Sequence, residues 1–233
     1  MKLLITTRAD SGIKKWTDLT HPHLKEYAKK VNADFKILDH VTDCEEGDGR
    51  WHFRIMRHYE LHEEYDRIAH IDSDTLIMPK CPNLFELVSS DEIGTCCEDK
   101  GSRQHARLQT MYSIQQKFGP VGWNSSYINT GVIVTSKEHR EIYTKIEGEY
   151  WTDWGSDDAH LGYLIHKNGF DINDLGYKFN HMTMFSHPWN NNASRFDSYI
   201  IHYAGQGIFA DGAASGIKNK FEQAQADYKK VYG

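Results

Sequence analysis

The sequence predicts an α/β fold with a Rossmann-like, mostly parallel central sheet flanked by helices. In the first third of the chain, short apolar segments typical of strands alternate with longer segments of helical periodicity. This alternation indicates strand–helix–strand units, in which helices cover the faces of a parallel sheet. A length of 233 residues with 39% hydrophobic residues suffices for one large core. Since no repeat or long linker divides the sequence, we predict a single domain over residues 1–233.

The N-terminal part supplies the first two strands and the helix between them. Residues 2–6 form an apolar strand that opens into a polar loop at residues 7–12. A helix follows, with Thr20 as its predicted cap and Pro22 in its first turn. Its apolar stripe, spaced at i, i+3, i+4 and i+7, consists of Leu24, Tyr27, Ala28 and Val31. The second strand is Asp34–Leu38.

Helical periodicity returns over residues 50–64 and is followed by the strand Arg67–Ile71. A capping-box pattern at Thr135 and Glu138 predicts a helix reaching residue 150, and Ser156 is the predicted cap of the next helix. The remaining predicted elements are strands at Glu92–Cys97, 128–135 and 199–202, and helices at 103–118, 156–169 and 219–231.

Two carboxylates, Asp72 and Asp74, follow the strand Arg67–Ile71 and are separated by Ser73. Side chains alternate along an extended backbone, so the two carboxylates point the same way. Oxygen ligands of this kind suit Mg²⁺ or Mn²⁺, which in turn can bind a diphosphate. The pair lies at the carboxyl end of a predicted parallel strand, where ligands bind in such sheets. A solvated acidic turn is the alternative interpretation of this short pattern.

The composition narrows the class of protein. A formal net charge of -6 argues against a nucleic-acid-binding surface. The four cysteines, Cys44, Cys81, Cys96 and Cys97, lack zinc-ligand spacing and are expected to be free thiols in a reducing compartment. The apolar start of the chain is too short for a signal peptide, and no window reaches the length of a membrane span. We therefore expect a cytoplasmic protein without a membrane span.

Four motifs in order resemble those of the glycosyltransferases with the GT-A fold. They are Asp72-Ser73-Asp74, Asn129-Thr130-Gly131, Asp157-Asp158 and His202-Tyr203-Ala204-Gly205. The arrangement is most similar to glycosyltransferase family 8, the glycogenin and lipopolysaccharide galactosyltransferase group, and covers residues 1 to about 207. The resemblance implies transfer of a hexose from a nucleotide-diphosphate sugar, UDP-linked, to a hydroxyl acceptor such as a glycan, with retention at the anomeric carbon. It also implies a nucleotide-binding half at about residues 1–100 and a donor-sugar and acceptor half at about residues 101–233.

Carried onto this sequence, the family's metal ligands are Asp72, Asp74 and His202, holding Mn²⁺ or Mg²⁺. For His202, a hydrogen-bonded core histidine is the alternative. The positions that resemble donor-binding positions of the family are Thr6, Thr7, Arg8, Asp10, Arg54, Ser73, Asp99 and Gly205. Arg57 is the alternative to Arg54 as the basic residue before the acidic pair.

The resemblance assigns Asn129 to donor-sugar hydroxyls, together with Glu98 beside Asp99, and places Asp157 and Asp158 at the reacting centre. The alternative for the two aspartates is that acids in a first helical turn merely complement the helix dipole. Tryptophans that could stack on sugar rings are Trp123, Trp151, Trp154 and Trp189.

Two departures from the family pattern are visible. Asp158 stands where the family usually has Gln, which exchanges an amide for an acid. The family's lysine shortly after the late His-x-x-Gly motif is absent, and Lys218 is the nearest lysine. The cation for the leaving diphosphate is therefore unassigned at the level of sequence.

Two other classes of function remain open. One is another nucleotide-sugar enzyme, a hydrolase or a nucleotidyltransferase; the loop after the first strand has only Arg8 and Gly12, which counts against the latter. The other is a non-catalytic sugar-binding module of the same fold, which would be expected to have lost the metal ligands. We expect a monomer or weak dimer whose partners are a nucleotide-sugar donor and a carbohydrate or glycoconjugate acceptor.

Overall fold

The computed structural model describes residues 1–39 and 51–233 and has a mixed α/β architecture. Its strands are β1 (Leu3–Arg8), β2 (Asp34–Leu38), β3 (Arg67–Ile71), β4 (Thr75–Ile77), β5 (Glu92–Cys97), β6 (Ile128–Ser136), β7 (Asp171–Asp174) and β8 (Ile200–His202). Its α-helices are α1 (Lys14–Lys30), α2 (His58–Glu64), α3 (Leu84–Leu87), α4 (Gln104–Phe118), α5 (Ser156–Asn168), α6 (Ala210–Ala214) and α7 (Lys220–Tyr232). Within these described ranges, no helix combines the length and apolarity needed to cross a membrane.

The main sheet has six strands in the order β2-β1-β3-β6-β5-β7. β1 pairs in parallel with β2 and β3, β5 pairs in parallel with β7, and β6 runs antiparallel to both of its neighbours. The predicted mostly parallel sheet is confirmed, with β6 as the strand of opposite direction. Because β6 is reversed, its first residues lie at the edge where β1 and β3 end. The Asp72 backbone N–H donates to the Gly131 carbonyl at 2.9 Å across this junction.

A second sheet pairs β4 with β8 in antiparallel orientation. Its register places Thr75 opposite His202, and the Tyr203 N–H donates to the Asp74 carbonyl at 2.9 Å. This small ribbon therefore brings the end of the late strand beside the acidic pair. Neither β4 nor β7 was expected from the sequence, since both are short and lack a clear alternation of apolar residues.

Helices cover both faces of the main sheet. On one face, Ile5 and Ile71 pack with Leu24 and Tyr27 of α1. On the other face, Ile133 packs in a cluster that includes buried residues of α4 and α5. Complete burial of such an aliphatic side chain contributes about 1.5–3 kcal/mol. These two apolar layers hold the ends of β1, β3 and β6 in fixed positions.

The first helix begins earlier than predicted. α1 starts at Lys14, after a short 3₁₀ turn, so neither Thr20 nor Pro22 marks its beginning. Thr20 is buried inside the helix and donates to the Trp16 carbonyl at 3.0 Å. The apolar face extends back to Trp16, which packs with Tyr203. Tertiary packing of this tryptophan, rather than a local cap, explains the earlier start.

Other boundaries also differ from the prediction. The part of the predicted 50–64 helix that is described consists of a 3₁₀ helix, Trp51–Arg57, followed by α2; residue 50 lies outside the described residues. The capping box is formed by Ser136 and His139 instead of Thr135 and Glu138. It opens a 3₁₀ helix, Lys137–Tyr143, and no helix reaches residue 150 within this described segment.

The cap of α5 is Gly155 rather than Ser156. Gly155 has φ 87°, and a Cβ there would overlap the Tyr127 hydroxyl, so both the backbone and the close packing favour glycine. Ser156 is instead the first helical residue. Asp157 and Asp158 consequently occupy the first turn of α5.

Candidate functional site

The candidate site lies where β1 and β3 end and β6 begins. β1 ends at Arg8, the turn after β3 carries Asp72 and Asp74, and β6 begins at Ile128, just before Asn129. The first turn of α5 adds Asp157 on the same side, since its carboxylate binds Arg8. The structure thus brings together residues from four separated parts of the sequence.

Asp72, Asp74 and His202 form a group that could hold a metal ion. One ligand atom from each residue lies within 4.8 Å of the others. His202 Nε2 is 3.2 Å from Asp74 Oδ1 and 3.8 Å from Asp72 Oδ2. Carboxylate oxygens with one imidazole nitrogen suit Mn²⁺, and the oxygens also suit Mg²⁺. The donor set therefore fits the group that the sequence assigned to these residues.

The hydrogen bonds around His202 identify which of its two ring nitrogens carries the hydrogen in the neutral imidazole. The Gly131 N–H donates to Asn129 Oδ1 at 3.0 Å, so that Asn129 atom is an acceptor. The Asn180 amide NH₂ donates to the same oxygen at 2.7 Å. The other amide atom of Asn180, its oxygen, must then accept from His202 Nδ1, at 2.7 Å. In neutral His202 the lone pair is therefore on Nε2, the nitrogen that faces Asp74 and could bind a metal ion.

Gly131 supplies the space that the imidazole occupies. A Cβ at Gly131 would lie 2.7 Å from His202 Nδ1 and 2.8 Å from Asn129 Oδ1. Neither neighbour can move freely, because both belong to the hydrogen-bonded chain that orients His202. The Asn129-Thr130-Gly131 motif therefore shapes the candidate metal site in addition to beginning β6.

Burial and charge act in opposite directions on the metal-ligand group. Burial opposes protonation of His202, but the carboxylates of Asp74 and Asp72 outweigh it and raise the pKa of His202. Burial likewise opposes ionisation of Asp72, but Arg8 and His70 hold the pKa of Asp72 well below its usual range. The site thus favours ionised carboxylates, the form that binds metal.

Arg8 links the candidate metal ligands to α5. Its guanidinium is buried and bidentate on Asp72, at 2.8 Å from Nε and 3.0 Å from Nη2. Nη1 binds Asp157 Oδ2 at 2.6 Å. Planar, bidentate guanidinium–carboxylate contacts are strong and directional. Arg8, expected at the nucleotide, therefore holds two of the site's carboxylates in register.

Thr130 shows how the two aspartates of α5 differ. Its hydroxyl lies 2.7 Å from Asp157 Oδ2 and 2.9 Å from Asp158 Oδ1. One hydroxyl hydrogen serves only one carboxylate, so the second short contact favours a protonated partner. Burial, together with the charges of Asp157 and Glu98, raises the pKa of Asp158 to about 8. Both the Thr130 contact and the raised pKa favour the protonated, neutral form of Asp158.

Lys220 is a cation at the site that sequence reasoning missed. It occupies the first position of α7, and its Nζ is 2.9 Å from Asp74 Oδ2. The same ammonium lies 5.5 Å from the ring centroid of Trp16. Lys218, two residues earlier, is exposed. Asn180 was also missed, because it lies in a loop with no motif that marks it.

Several of the predicted donor-binding residues are engaged in the interior. The Thr6 hydroxyl contacts His58 and His70, and the Thr7 hydroxyl lies 2.9 Å from that of Ser73. These contacts join β1 to the turn carrying the acidic pair, and His70 Nε2 in turn lies 3.1 Å from Asp72 Oδ1. In this structure the hydroxyls support the site rather than face a cleft.

Other predicted residues lie at its margins. Asp10 caps the turn before α1 and pairs with the buried Arg54 at 3.3 Å. Arg57, the alternative to Arg54, instead pairs with Glu60 near the surface. Gly205 has φ 64°, and a Cβ there would meet no atom within 4 Å, so the space beside it is open.

The acids that follow β5 are bound to protein groups. Asp99 accepts the backbone N–H groups of Ser126 and Tyr127 at 3.0 and 2.9 Å, which holds the loop before β6. Glu98 is buried against Arg107, and burial raises the pKa of Glu98 despite that cation. Of the four singled-out tryptophans, Trp123 and Trp151 are core residues, whereas Trp154 is 62% and Trp189 is 40% exposed.

The fold is shared with known glycosyltransferases. A glycosyltransferase involved in glycosylation of the major capsid of PBCV-1 matches with a TM-score of 0.60 and 15% identity over 97% of this chain and 100% of that one. The galactosyltransferase LgtC, solved with donor and acceptor sugar analogues, matches with a TM-score of 0.54 and 15% identity over 99% and 96%. GlyE of Streptococcus pneumoniae matches with a TM-score of 0.58 and 14% identity over 98% of this chain and 60% of its own.

No protein-family model and no curated protein sequence matches the chain. At these sequence identities the structural matches establish the fold. The resemblance to GT-A glycosyltransferases, including the galactosyltransferase LgtC, is confirmed at that level. The chain therefore has the GT-A glycosyltransferase fold.

Proposed function

We propose that the protein is a metal-dependent glycosyltransferase that moves a hexose from a nucleotide-diphosphate sugar, UDP-linked, to a hydroxyl of a glycan or glycoconjugate. The observation that carries this proposal is the convergence of Asp72, Asp74 and His202 at the ligand-binding edge of a GT-A fold. Residues 1–233 would act as one catalytic domain. Free thiols at Cys81, Cys96 and Cys97 support a cytoplasmic location; Cys44 lies outside the described residues.

Asp72, Asp74 and His202 would hold Mn²⁺ or Mg²⁺, with Asn180 keeping the His202 Nε2 lone pair available. A divalent ion at this position supplies positive charge to the diphosphate as it leaves. Lys220 would supply the second positive charge. Its ammonium already lies at Asp74, so a phosphate oxygen bound beside that carboxylate is within its reach. Lys220 thus takes the place of the absent family lysine in this proposal.

Asp157 and Asp158 would face the reacting centre, with different charges. Arg8 and Thr130 orient the Asp157 carboxylate. Asp158 keeps its proton at neutral pH and so resembles an amide in charge and shape. The substitution of Asp for the family's Gln therefore does not place a second anion there. This agreement supports the retaining chemistry that the resemblance implies.

The proposal is tested by the melting temperature of the protein with UDP and Mn²⁺. UDP at about 100 times its Kd stabilises by about 2.7 kcal/mol, which raises Tm by roughly 5–10 °C for a chain of this size. We expect this shift only with the metal present. Asp74→Asn should abolish it, whereas Asp171→Asn, an exposed position on the edge strand β7, should not.

A second pair of variants tests Lys220. Lys220→Met should weaken UDP binding about tenfold or more, since hydrogen bonds to charged groups contribute about 1.5–3 kcal/mol. Lys218→Met, a change of the same chemistry at an exposed position, is the control.

The proposal is wrong if no nucleotide diphosphate raises Tm in a metal-dependent manner. NMR analysis of the product then determines the anomeric outcome, and an inverted product would contradict retention.

A further inference from the structure

A cavity of about 270 Å³ lies between α4 and the loop that leads into α5. One wall is a single face of α4, where Ala106, Gln109 and Ser113 follow each other at i, i+3 and i+7. The facing wall includes Asp153 and Trp154. Small-molecule pockets commonly measure roughly 300–1,000 Å³, so this cavity is suited to a ligand of about one ring rather than a large molecule.

Trp154 presents an aromatic surface to this cavity. Its side chain is 62% exposed, and among the described residues no ring packs against it. The backbone beneath it is fixed, because its carbonyl accepts from Trp151 Nε1 at 2.9 Å and its N–H donates to Asp153 Oδ1 at 2.7 Å. An uncovered indole on a hydrogen-bonded backbone offers stacking area to a ligand without first having to order that backbone.

The polar groups around the indole match those of a sugar. Gln109 can donate and accept, Ser113 carries a hydroxyl and Asp153 a carboxylate, and all three residues are exposed. Such groups hydrogen-bond vicinal hydroxyls, while the apolar C–H face of a pyranose lies on an aromatic ring. The Ser113 hydroxyl donates to the Gln109 carbonyl at 2.9 Å and can still accept a hydrogen bond from a ligand. A lipid or apolar peptide would form none of these ligand hydrogen bonds.

Residues that line the cavity are close in sequence to the candidate reacting centre. Trp154 precedes Asp157 by three residues, and Gly155 between them packs against Thr110 of α4, which also lines the cavity. A sugar held here would therefore be close to the first turn of α5.

We propose that this cavity binds one neutral hexopyranose ring of the acceptor glycan, stacked on Trp154 and hydrogen-bonded by Gln109, Ser113 and Asp153. The inference rests on the proposed glycosyltransferase function and adds an acceptor subsite to it. It predicts that the protein binds simple glycosides in the absence of nucleotide and metal.

The test uses three probes: methyl α-D-glucopyranoside, methyl β-D-galactopyranoside and lactose. Binding is followed by saturation-transfer NMR and by the indole N–H resonance of Trp154, which is assigned by its loss in Trp154→Phe. At least one probe should shift that resonance and receive saturation at its ring C–H protons. Trp154→Ala should weaken binding of that probe about tenfold, as truncation of an aromatic residue at the centre of a contact commonly does. Trp154→Phe should retain most of the affinity.

Two controls separate this inference from the proposed function. Tyr112→Ala removes an exposed aromatic from α4 outside the cavity lining and should leave glycoside binding unchanged. Titration of UDP with Mn²⁺ should give the same affinity for Trp154→Ala as for the unaltered protein. The subsite is wrong if none of the three probes shifts the Trp154 resonance, or if Trp154→Ala binds as tightly as the unaltered protein. Failure of UDP and Mn²⁺ to bind the unaltered protein would instead contradict the proposed function.

Discussion

Replacing Asp158 with Asn should stabilise the protein, and the gain should grow as the pH rises from 5 to 7. Asp158 is partly buried in the first turn of α5, where loss of solvent and the charges of Asp157 and Glu98 raise its pKa to about 8. In an unfolded chain the pKa of an aspartate is about 3.9. An asparagine is neutral in both states and can still accept the Thr130 N–H that Asp158 accepts at 2.8 Å.

The magnitude follows from proton linkage. Between about pH 4 and pH 8 the native protein holds a proton on Asp158 that the unfolded chain has released. The unfolded state therefore binds fewer protons, so stability falls with rising pH by up to about 1.4 kcal/mol per unit. From pH 5 to pH 7 the unaltered protein should lose about 3 kcal/mol relative to Asp158→Asn. Below pH 4 this difference should disappear.

Urea unfolding at pH 5, 6 and 7, followed by tryptophan fluorescence, measures the effect. Other groups also titrate: the pKa of Glu98 is raised and that of Asp72 is lowered, so only the difference between the two proteins isolates Asp158. Asp91→Asn is the control, because a hydrogen bond from Ser89 lowers the pKa of Asp91. Asp91 is then ionised in both the folded and the unfolded protein above pH 5, so the stability difference for Asp91→Asn should stay constant from pH 5 to 7. A stability difference between Asp158→Asn and the unaltered protein that stays constant from pH 5 to 7 would refute a protonated Asp158.

Three further changes test other parts of the site. Asn180→Leu removes the acceptor for His202 Nδ1 and should weaken Mn²⁺ binding about 10–100-fold in calorimetry; unchanged affinity would contradict its orienting role. Gly131→Ala should abolish the Mn²⁺-dependent change in Tm, because its Cβ overlaps the His202 ring. Asp227→Asn weakens the bidentate contact to the buried Arg195 and should lower the free energy of unfolding by about 3–5 kcal/mol in urea titrations. A loss of under 1 kcal/mol would contradict that pairing.

The order of motifs along the sequence predicted much of the candidate site. Asp72 and Asp74 are adjacent to a strand with a clear apolar pattern, so their position at the sheet edge follows from local periodicity. His202 is 128 residues beyond Asp74 in sequence, and its assignment depended on the family resemblance. Its contact with Asp74 arises from the pairing of β4 with β8, which no local pattern indicates.

The remaining features depend on tertiary structure. Lys220 reaches Asp74 from a helix 146 residues away, and the spacing carries no sign of this contact. The protonation of Asp158 depends on burial and on the charges of Asp157 and Glu98, which are brought together only by folding. The sequence predicted Arg8 beside the nucleotide from its position at the end of the first strand, but its two carboxylate partners come from the turn after β3 and from α5.

The attachment of α7 should couple protein stability to the proposed nucleotide binding. Lys220 lies in the first turn of α7. The Asn219 side chain accepts the backbone N–H groups of Phe221 and Glu222 and so fixes the start of the helix. Farther along, Asp227 binds the buried Arg195, and the Tyr228 hydroxyl donates to the Thr75 carbonyl at 2.9 Å, beside the acidic pair. Because these contacts set the distance between Lys220 and the acidic pair, loosening α7 should weaken diphosphate binding before the sheet itself unfolds. The C-terminal helix is in this view part of the site, although the four sequence motifs end before it begins.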